Sequence, residues 1–511
     1  GKVLVPPGCN DDVPNPRLDC NKDPHMVTFG VTLGQDGEIF GQNQAATDDP
    51  FTTNPDWTEI GDVHTTRGPN MIDDLWHATI NGRGQLLNAK TPRDIASQLQ
   101  TVLNDIIGRT ASASSVALNS GFLSANSQIY QARFNSSDWS GQLLALPVSD
   151  GTGNATCSAS DPLGTVCPQQ WDAAENIPAW DSRVITTYSH DHNHGHDFVW
   201  NKLSDAEKNL IHPGAGGNDV TAIRTGELKL EYLRGRASFA AADQTITDNF
   251  RARTTLLGDM INSDPYFVGV PPFAYNFGNY FAYRQAKLNR TGVVYIGGND
   301  GMLHGFRTSD GVELLAYVPS PVIKNLHKLT DPAYSHEFFV DGSPTAGDVQ
   351  VPGNDPNSTT WRTVLVGGLR SGGQGVYALD VSDPDSFSKD DVLWEFTDAD
   401  DPDLGYTYSQ PSIVRVKHGS ATKWAAVLGN GYNNTENDGH VGDGESHLFI
   451  LFMDGPGADN VWTEGTDYLK VSTGQGPLAS PNDYSNGLST PTVVDYGHLG
   501  AGSYGQDGIA D

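Results

Sequence analysis

The stretch SHDHNHGHDF sets His190, His192, His194 and His196 at alternating positions. Side chains two apart share one face of a strand, and imidazoles arranged so suit a transition metal. The Asn and Gly between them favour a loop instead, where metal capture is only opportunistic. Two acidic stretches offer a different chemistry. DADDPDLG supplies Asp398, Asp400, Asp401 and Asp403, and NNTENDGHVGDGE supplies Glu436, Asp438, Asp443 and Glu445. Crowded carboxylates repel one another unless a cation or water separates them. Either stretch suits calcium, which takes about six to eight oxygen ligands; without a cation each is a solvated acidic loop.

The cysteines carry a structural chemistry. Cys9 stands near Cys20 and Cys157 near Cys167, all in polar loops with no core to receive a thiol. Two local disulfides, Cys9–Cys20 and Cys157–Cys167, are expected, and with them an oxidising compartment. The spacing is poor for zinc, since no C-x-x-C occurs. G-x-S-x-G, H-E-x-x-H and Walker A patterns are missing as well. The expectation is a protein without catalytic residues, not an enzyme.

Composition narrows the partners. The 511 residues contain 31 Lys and Arg against 62 Asp and Glu, a net charge of −31. Such a field repels nucleic acid and anionic lipid and attracts divalent cations. No apolar run reaches the ~18 residues of a membrane span. The chain opens at Gly1 without a recognisable leader, which predicts a start set by processing or truncation.

The elements that must position these groups fall into two regimes. In residues 1–115, HMVTFGVTLG reads as a strand, DDLWHATI (73–80) as a short helix and GQLLNA as a second strand. A further helix follows, with Thr91 as N-cap, Pro92 in its first turn and Ile95, Leu99, Val102 and Ile106 on one face. Strand and helix alternate as in a parallel α/β unit. The unit is short, so the rest of that domain is expected upstream of Gly1.

From residue 116 to 511 strands and turns take over. Pro265, Pro344, Pro411 and Pro491, 67 to 80 residues apart, each open an apolar segment. After the first three come, in fixed order, a buried strand ending in glycine (VVYIGG, TVLVGG, AAVLGNG), a third strand (MLHGF, GVYALDV, HLFILFMD) and a fourth (ELLAYVP, VLWEF, DYLKV). Four strands per recurring unit describe β-propeller blades enlarged by insertions. The fold expected is mainly β, a propeller whose ring is incomplete in this chain. QIYQARFNSSDWSGQLLALPV (128–148) and SRVITTY (182–188) are expected to belong to further, irregular blades, and a helical insertion is expected near residues 200–250.

Eight segments in this order carry a resemblance: DDLWHATINGRGQLLNA, DWSGQLLAL, LGDMINSDPYFVG, VYIGGNDGMLHGF, FFVDGSPTAGDV, GQGVYALDV, LGYTYSQPSIVRV and LGNGYNN. The chain resembles the PilC/PilY family of type IV pilus tip-associated adhesins over most of residues 25–511, most strongly from Leu257 to Asn434. The resemblance implies a quinoprotein-like β-propeller of about seven blades preceded by a von Willebrand A-like domain, of which residues 1–115 would hold the C-terminal remainder. It implies a pilus biogenesis factor that controls extension against retraction and presents an adhesive surface. Minor pilins at the pilus tip and a host-cell or abiotic surface would be its partners, and its location would be extracellular.

Two departures from the family pattern matter. The D-x-S-x-S adhesion motif of von Willebrand A domains is missing from this chain. The family's calcium loop, D-x-[DN]-x-D-G-x-x-D, survives only in its later half, as Asp507, Gly508 and Asp511. Ser503 and Gly505 stand where the first acidic ligands belong, and Asp495 is the nearest carboxylate to replace them. Asp495, Asp507 and Asp511 are therefore the expected calcium ligands. The competing readings are a periplasmic quinone-dependent oxidoreductase, whose vicinal disulfide this chain lacks, and a secreted carbohydrate-binding propeller.

Overall fold

The computed structural model describes residues 30–33, 36–40, 68–81, 86–89, 115–118, 127–136, 138–153, 156–190, 194–352, 359–457, 459–476 and 485–494. The chain divides into two compact units, Gly1–Thr110 and Ala111–Asp511. In the first, β1 (Gly30–Leu33) pairs in parallel with β2 (Leu86–Ala89), and α1 (Asn70–Asn81) lies between them in sequence. Asp73 of α1 is fully buried, where its carboxylate accepts the backbone N–H groups of Glu38 at 2.7 Å and Phe40 at 2.8 Å. That charge on backbone donors fixes the turn after β1 to the helix. The helix expected around Ile95 lies outside the described residues.

Among the described residues, the second unit holds four sheets. The first holds β3 (Ser115–Leu118), β4 (Gln128–Asn135), β5 (Ser140–Pro147) and β6 (Trp171–Asp172). The second contains β7 (Ile185–Ser189), β8 (His194–Asp197), β9 (Tyr266–Val268), β10 (Val293–Gly298), β11 (Met302–Arg307) and β12 (Glu313–Val318). The third has β13 (Thr345–Pro352), β14 (Thr359–Gly368), β15 (Gly375–Asp380) and β16 (Val392–Thr397). The fourth has β17 (Ser412–His418), β18 (Ala421–Gly429), β19 (His447–Phe452) and β20 (Tyr468–Ser472). Each is an antiparallel meander in chain order, apart from β7 and β8. The three repeated units read in the sequence thus appear strand for strand.

Burial explains why the second strands are unbroken apolar runs. Val294 and Ile296 of β10 pack with Tyr130 and Leu143 of the first sheet. Val293 and Tyr295, on the opposite face, join the core shared with Leu365 and Tyr377 of the third. Val364 and Val366 of β14 then pack with Leu428 and Phe449 of the fourth. A strand covered on both faces loses the polar half of its alternation, and each large side chain so buried contributes about 1.5–3 kcal/mol. The first strands of consecutive sheets also touch one another, β3 with β9, β9 with β13 and β13 with β17. The sheets therefore fan out from a shared inner edge.

Close backbone contact holds that edge. A Cβ on Gly297, at the end of β10, would lie 2.2 Å from the carbonyl oxygen of Val340, in the segment leading into the third sheet. A Cβ on Gly429, at the end of β18, would lie 2.2 Å from the carbonyl oxygen of Leu488. The recurring glycine lets the incoming chain pass. Hydroxyls beside the recurring prolines complete the join. Ser263 Oγ accepts the Gly297 N–H at 2.9 Å and donates to the Gly342 carbonyl at 3.0 Å. Ser409 Oγ accepts the Gly429 N–H at 2.9 Å, and Thr490 Oγ1 accepts the Gln410 N–H at 3.0 Å.

Two expectations are revised. SRVITTY does not start another blade: β7 adds in parallel to the outer edge of β12, with Ala316 opposite Ile185, and β8 pairs with β7. The helical insertion is present as Asp205–Ile211, capped by Ser204 with Glu207, and Val220–Leu233, capped by Asp219. Residues 485–494, around Pro491, form no strand, since no partner strand lies beside them among the described residues. Cys157 and Cys167 are disulfide-bonded within the loop between β5 and β6, while Cys9 and Cys20 lie outside the described residues.

Gly297→Ala should lower unfolding stability by roughly 1–3 kcal/mol, because the backbone at Val340 must move aside. Gly217→Ala, in an exposed turn, is the control. Urea denaturation of both variants checks this, and an unshifted midpoint for Gly297→Ala would refute the close approach.

Candidate functional site

The two acidic stretches converge. Asp401 and Asp403 follow β16, Asp443 precedes β19, and His447 is the first residue of that strand. His447 Nε2 lies 3.0 Å from Asp443 Oδ1 and 3.6 Å from Asp403 Oδ2. Ligand atoms of Asp403, Asp443 and His447 all lie within 4.8 Å of one another, and this is the one such His/Cys/Asp/Glu group among the described residues. The backbone fixes the junction: the Asp443 N–H donates to Asp403 Oδ1 at 2.8 Å, and Asn430 Nδ2 donates to the Asp403 carbonyl at 2.9 Å.

A cation is already built in. Lys470 of β20 places its ammonium 2.9 Å from Asp401 and 2.7 Å from Asp403, and the Tyr468 hydroxyl donates to Asp401 at 2.7 Å. Burial opposes the ammonium, but its hydrogen bonds to Asp403 and Asp401 outweigh that and raise its pKa. The donor set does not fit calcium. One of the three ligand atoms is an imidazole nitrogen, and Lys470 already neutralises Asp403, whereas calcium needs a shell of oxygens. Two carboxylates and an imidazole match a transition metal better.

A second charged cluster grows from the turn motif GGNDGMLHGF. His304 of β11 is fully buried, with Nδ1 2.8 Å from Glu313 Oε1 and Nε2 3.0 Å from Asp300 Oδ1. Glu313 also takes Arg183 in a two-pronged pair at 2.6 and 2.7 Å. Arg183 donates onward to the Arg234 carbonyl at 2.9 Å, which ties the helical insertion to the second sheet. Burial disfavours the imidazolium, yet Asp300 and Glu313 together raise the His304 pKa to about 9. Burial likewise disfavours the Glu313 carboxylate, but Arg183 and His304 bring its pKa down to about 2. Both ring nitrogens of His304 are occupied and the ring is fully buried, so this network ties the turn at Asp300, β11, β12 and the segment before β7 together.

The histidine stretch is dispersed. His190 pairs with the buried Glu395 at 3.0 Å, His196 with Glu207 at 3.0 Å, and His194 is exposed. His192, Asp495, Asp507 and Asp511 lie outside the described residues. Reading the sequence missed Lys470, His447, Arg183 and Glu313. The available signal was a charged or polar residue inside an otherwise apolar strand, which at a buried face requires a partner.

The sequence profile of the PilY1 beta-propeller domain matches residues 257–509. The type IV pilus biogenesis factor PilY1 of Pseudomonas aeruginosa strain PAK is 32% identical over 513 residues, covering 95% of this chain and 40% of that protein. A type IV pilus biogenesis factor PilY1 homolog of Xylella fastidiosa strain Temecula1 is 31% identical over 423 residues, covering 77% of this chain and 31% of the homolog. The crystal structure of the Pseudomonas aeruginosa PilY1 C-terminal domain is 33% identical, with a TM-score of 0.35, and covers 48% of this chain and 42% of that one. The chain spans about 40% of the length of the first of these relatives.

Two outcomes test the clusters. Lys470→Gln leaves Asp401 and Asp403 buried without a counter-charge and should cost roughly 3–5 kcal/mol. Millimolar zinc should restore more of that loss in the variant than it adds to the parent, read by urea denaturation. The pH test concerns His304. Its raised pKa means its contribution is complete below pH 6.5 and fades as pH rises through about 9; that of Glu313 is complete above pH 4.5 and fades as pH falls through about 2. The stability gap between wild type and His304→Gln should therefore be widest between pH 4.5 and 6.5. A gap that does not change up to about pH 10 would refute the charged imidazole.

Proposed function

Because the chain belongs to the PilC/PilY family, we propose that it forms the propeller-bearing part of a type IV pilus biogenesis factor. The observation that carries this reading is the 32% identity to PilY1 across 95% of the chain. Sheets that fan from a shared inner edge support a propeller, closed into a ring by strands beyond those described. The parallel β1–α1–β2 unit supports a von Willebrand A-like domain ahead of it. Loops at the sheet ends are the surfaces offered to partners, since strands are committed to their ladders. Those partners are minor pilins at the pilus tip and a host-cell or abiotic surface, which sets the protein outside the cell. None of the candidate spanning helices that membrane crossing requires occurs among the described residues. The reading is non-enzymatic, and the fully engaged His304 and Lys470 clusters support it.

Calcium is the proposed regulator, held by Asp495, Asp507 and Asp511 rather than by the Asp403 junction. A net charge of −31 makes compaction costly, and a ligand bound only by the folded state adds about 2.7 kcal/mol at a hundredfold excess over Kd.

Restoring the full-length protein to a piliated bacterium that lacks its own family member should recover surface pili and twitching motility; secretion without recovery of either would sink the pilus reading. Thermal melting in calcium and magnesium at matched ionic strength should show a calcium-specific rise that Asp507→Ala abolishes and Asp443→Ala keeps. Equal rises for both ions and all proteins would reduce calcium to charge screening.

A further inference from the structure

Behind the helix Val220–Leu233 the chain turns through residues 235–256 and walls a solvent-open groove of about 820 Å³. Its lining is unlike the rest of this acidic protein. Arg236, Arg251 and Arg253 contribute three guanidinium groups, and Tyr232, Phe239 and Phe250 contribute aromatic surface. The rings are packed edge to face, Tyr232 on Phe250 at 5.5 Å and Phe239 on Phe250 at 6.0 Å. The cations lie over rings as well, Arg253 at 3.8 Å from the centre of Tyr232 and Arg251 at 4.3 Å from that of Tyr334.

The three arginines differ in how their charge is met. Arg236 is paired with Glu231 at 2.6 Å. Arg251 and Arg253 have no carboxylate within 4.0 Å among the described residues. Among the described residues each side chain donates only through Nη2 and only to backbone carbonyls, Arg251 to Asp138 at 2.6 Å and Arg253 to Tyr232 at 2.6 Å and Arg236 at 3.4 Å. Among the described residues, the Nε and Nη1 donors of both meet no acceptor. Burial, with the nearby guanidinium groups of Arg183 and Arg251 adding to it, holds the Arg253 pKa below the usual range. Glu175 and Asp248 also line the groove, but neither reaches these two cations. Half-buried, each stacked on its own ring and both lining the groove, Arg251 and Arg253 present fixed donors that match a carboxylate.

We propose that this groove binds a peptide segment in which an Asp or Glu side chain sits next to an aromatic or aliphatic one. The carboxylate meets Arg251 and Arg253, and the apolar neighbour packs on Phe239 and Phe250. Polyanions are disfavoured as occupants, because the field of a chain with net charge −31 opposes them at range. A single carboxylate on an apolar body carries little of that penalty and gains both parts of the lining.

The test uses the whole protein and fluorescein-labelled heptapeptides in which one Asp is flanked by pairings of Phe, Tyr, Leu and Gly, each with a twin carrying Asn. Anisotropy should show aromatic-flanked Asp peptides binding at least about tenfold more tightly than their Asn twins, the worth of a charge-assisted hydrogen bond. Arg251→Gln and Arg253→Gln should erase that preference. Arg224→Gln, whose guanidinium is satisfied by Asp243 and Glu227, should keep it. Phe250→Ala should weaken Asp and Asn peptides alike and guards against a variant that fails to fold. Equal binding of the twins, a preference that survives both glutamine variants, or no binding at all overturns the proposal. Self-association that the peptides displace would assign the groove to a second copy and overturn it too.

Discussion

Each sheet is joined to the next where one backbone passes over another with no room for a side chain. At Gly297, next to the end of β10, and at Gly429, the end of β18, a second strand lies under the chain at Val340 and at Leu488. A hydroxyl from Ser263 or Ser409 takes the N–H that this contact leaves turned away from its ladder. The prolines next to those hydroxyls restrict the preceding residue to extended conformations, so the first strand departs in a defined direction. Spacing and direction together set first strand against first strand, and the apolar cores between sheets form because that placement stacks their faces. Loops of any length can be inserted elsewhere without disturbing it, which is why the repeats differ so much in spacing.

Charge is handled by the same economy of contact. With twice as many acidic as basic side chains, cations are scarce, and the structure places several of them inside. Arg183 reaches Glu313 across 130 residues of sequence, and Lys470 reaches Asp401 across 69. Such pairs return little net energy against an apolar alternative, but removing one member leaves the other stranded. Their value is in specifying which segments meet. The Arg183 network fastens the helical insertion to one sheet, the Lys470 network fastens one acidic loop to β20, and Asp443 joins the second acidic loop to Asp403.

The repeated strands were legible because each is announced locally, by a proline, an apolar run and a closing glycine. The two capped helices were legible for the same reason, as was the Cys157–Cys167 disulfide. What stayed hidden depends on long-range meeting. Nothing near Ile185 states that it will lie in parallel beside Ala316, and nothing near His447 states that the distant Asp403 will join its neighbour Asp443 there. The four alternating histidines point toward one metal, yet Glu395 and Glu207, far apart in the chain, draw two of them in different directions. The acidic loops were visible as acidic, but the lysine that neutralises Asp401 and Asp403 sits on β20, beyond three intervening strands.

The parallel pairing of β7 with β12 also sets a timetable. β7 ends at Ser189, and its partner begins only at Glu313. During synthesis the ribosome must add all the intervening residues before this edge is paired, on the order of ten seconds at typical elongation rates. Until then Ile185 and Tyr188, buried in the finished protein, have only the short β8 beside them, and the open edge of that hairpin can pair with a neighbouring chain. A newborn copy therefore passes through an interval in which it needs shielding, and crowding of nascent chains should be most harmful in that interval.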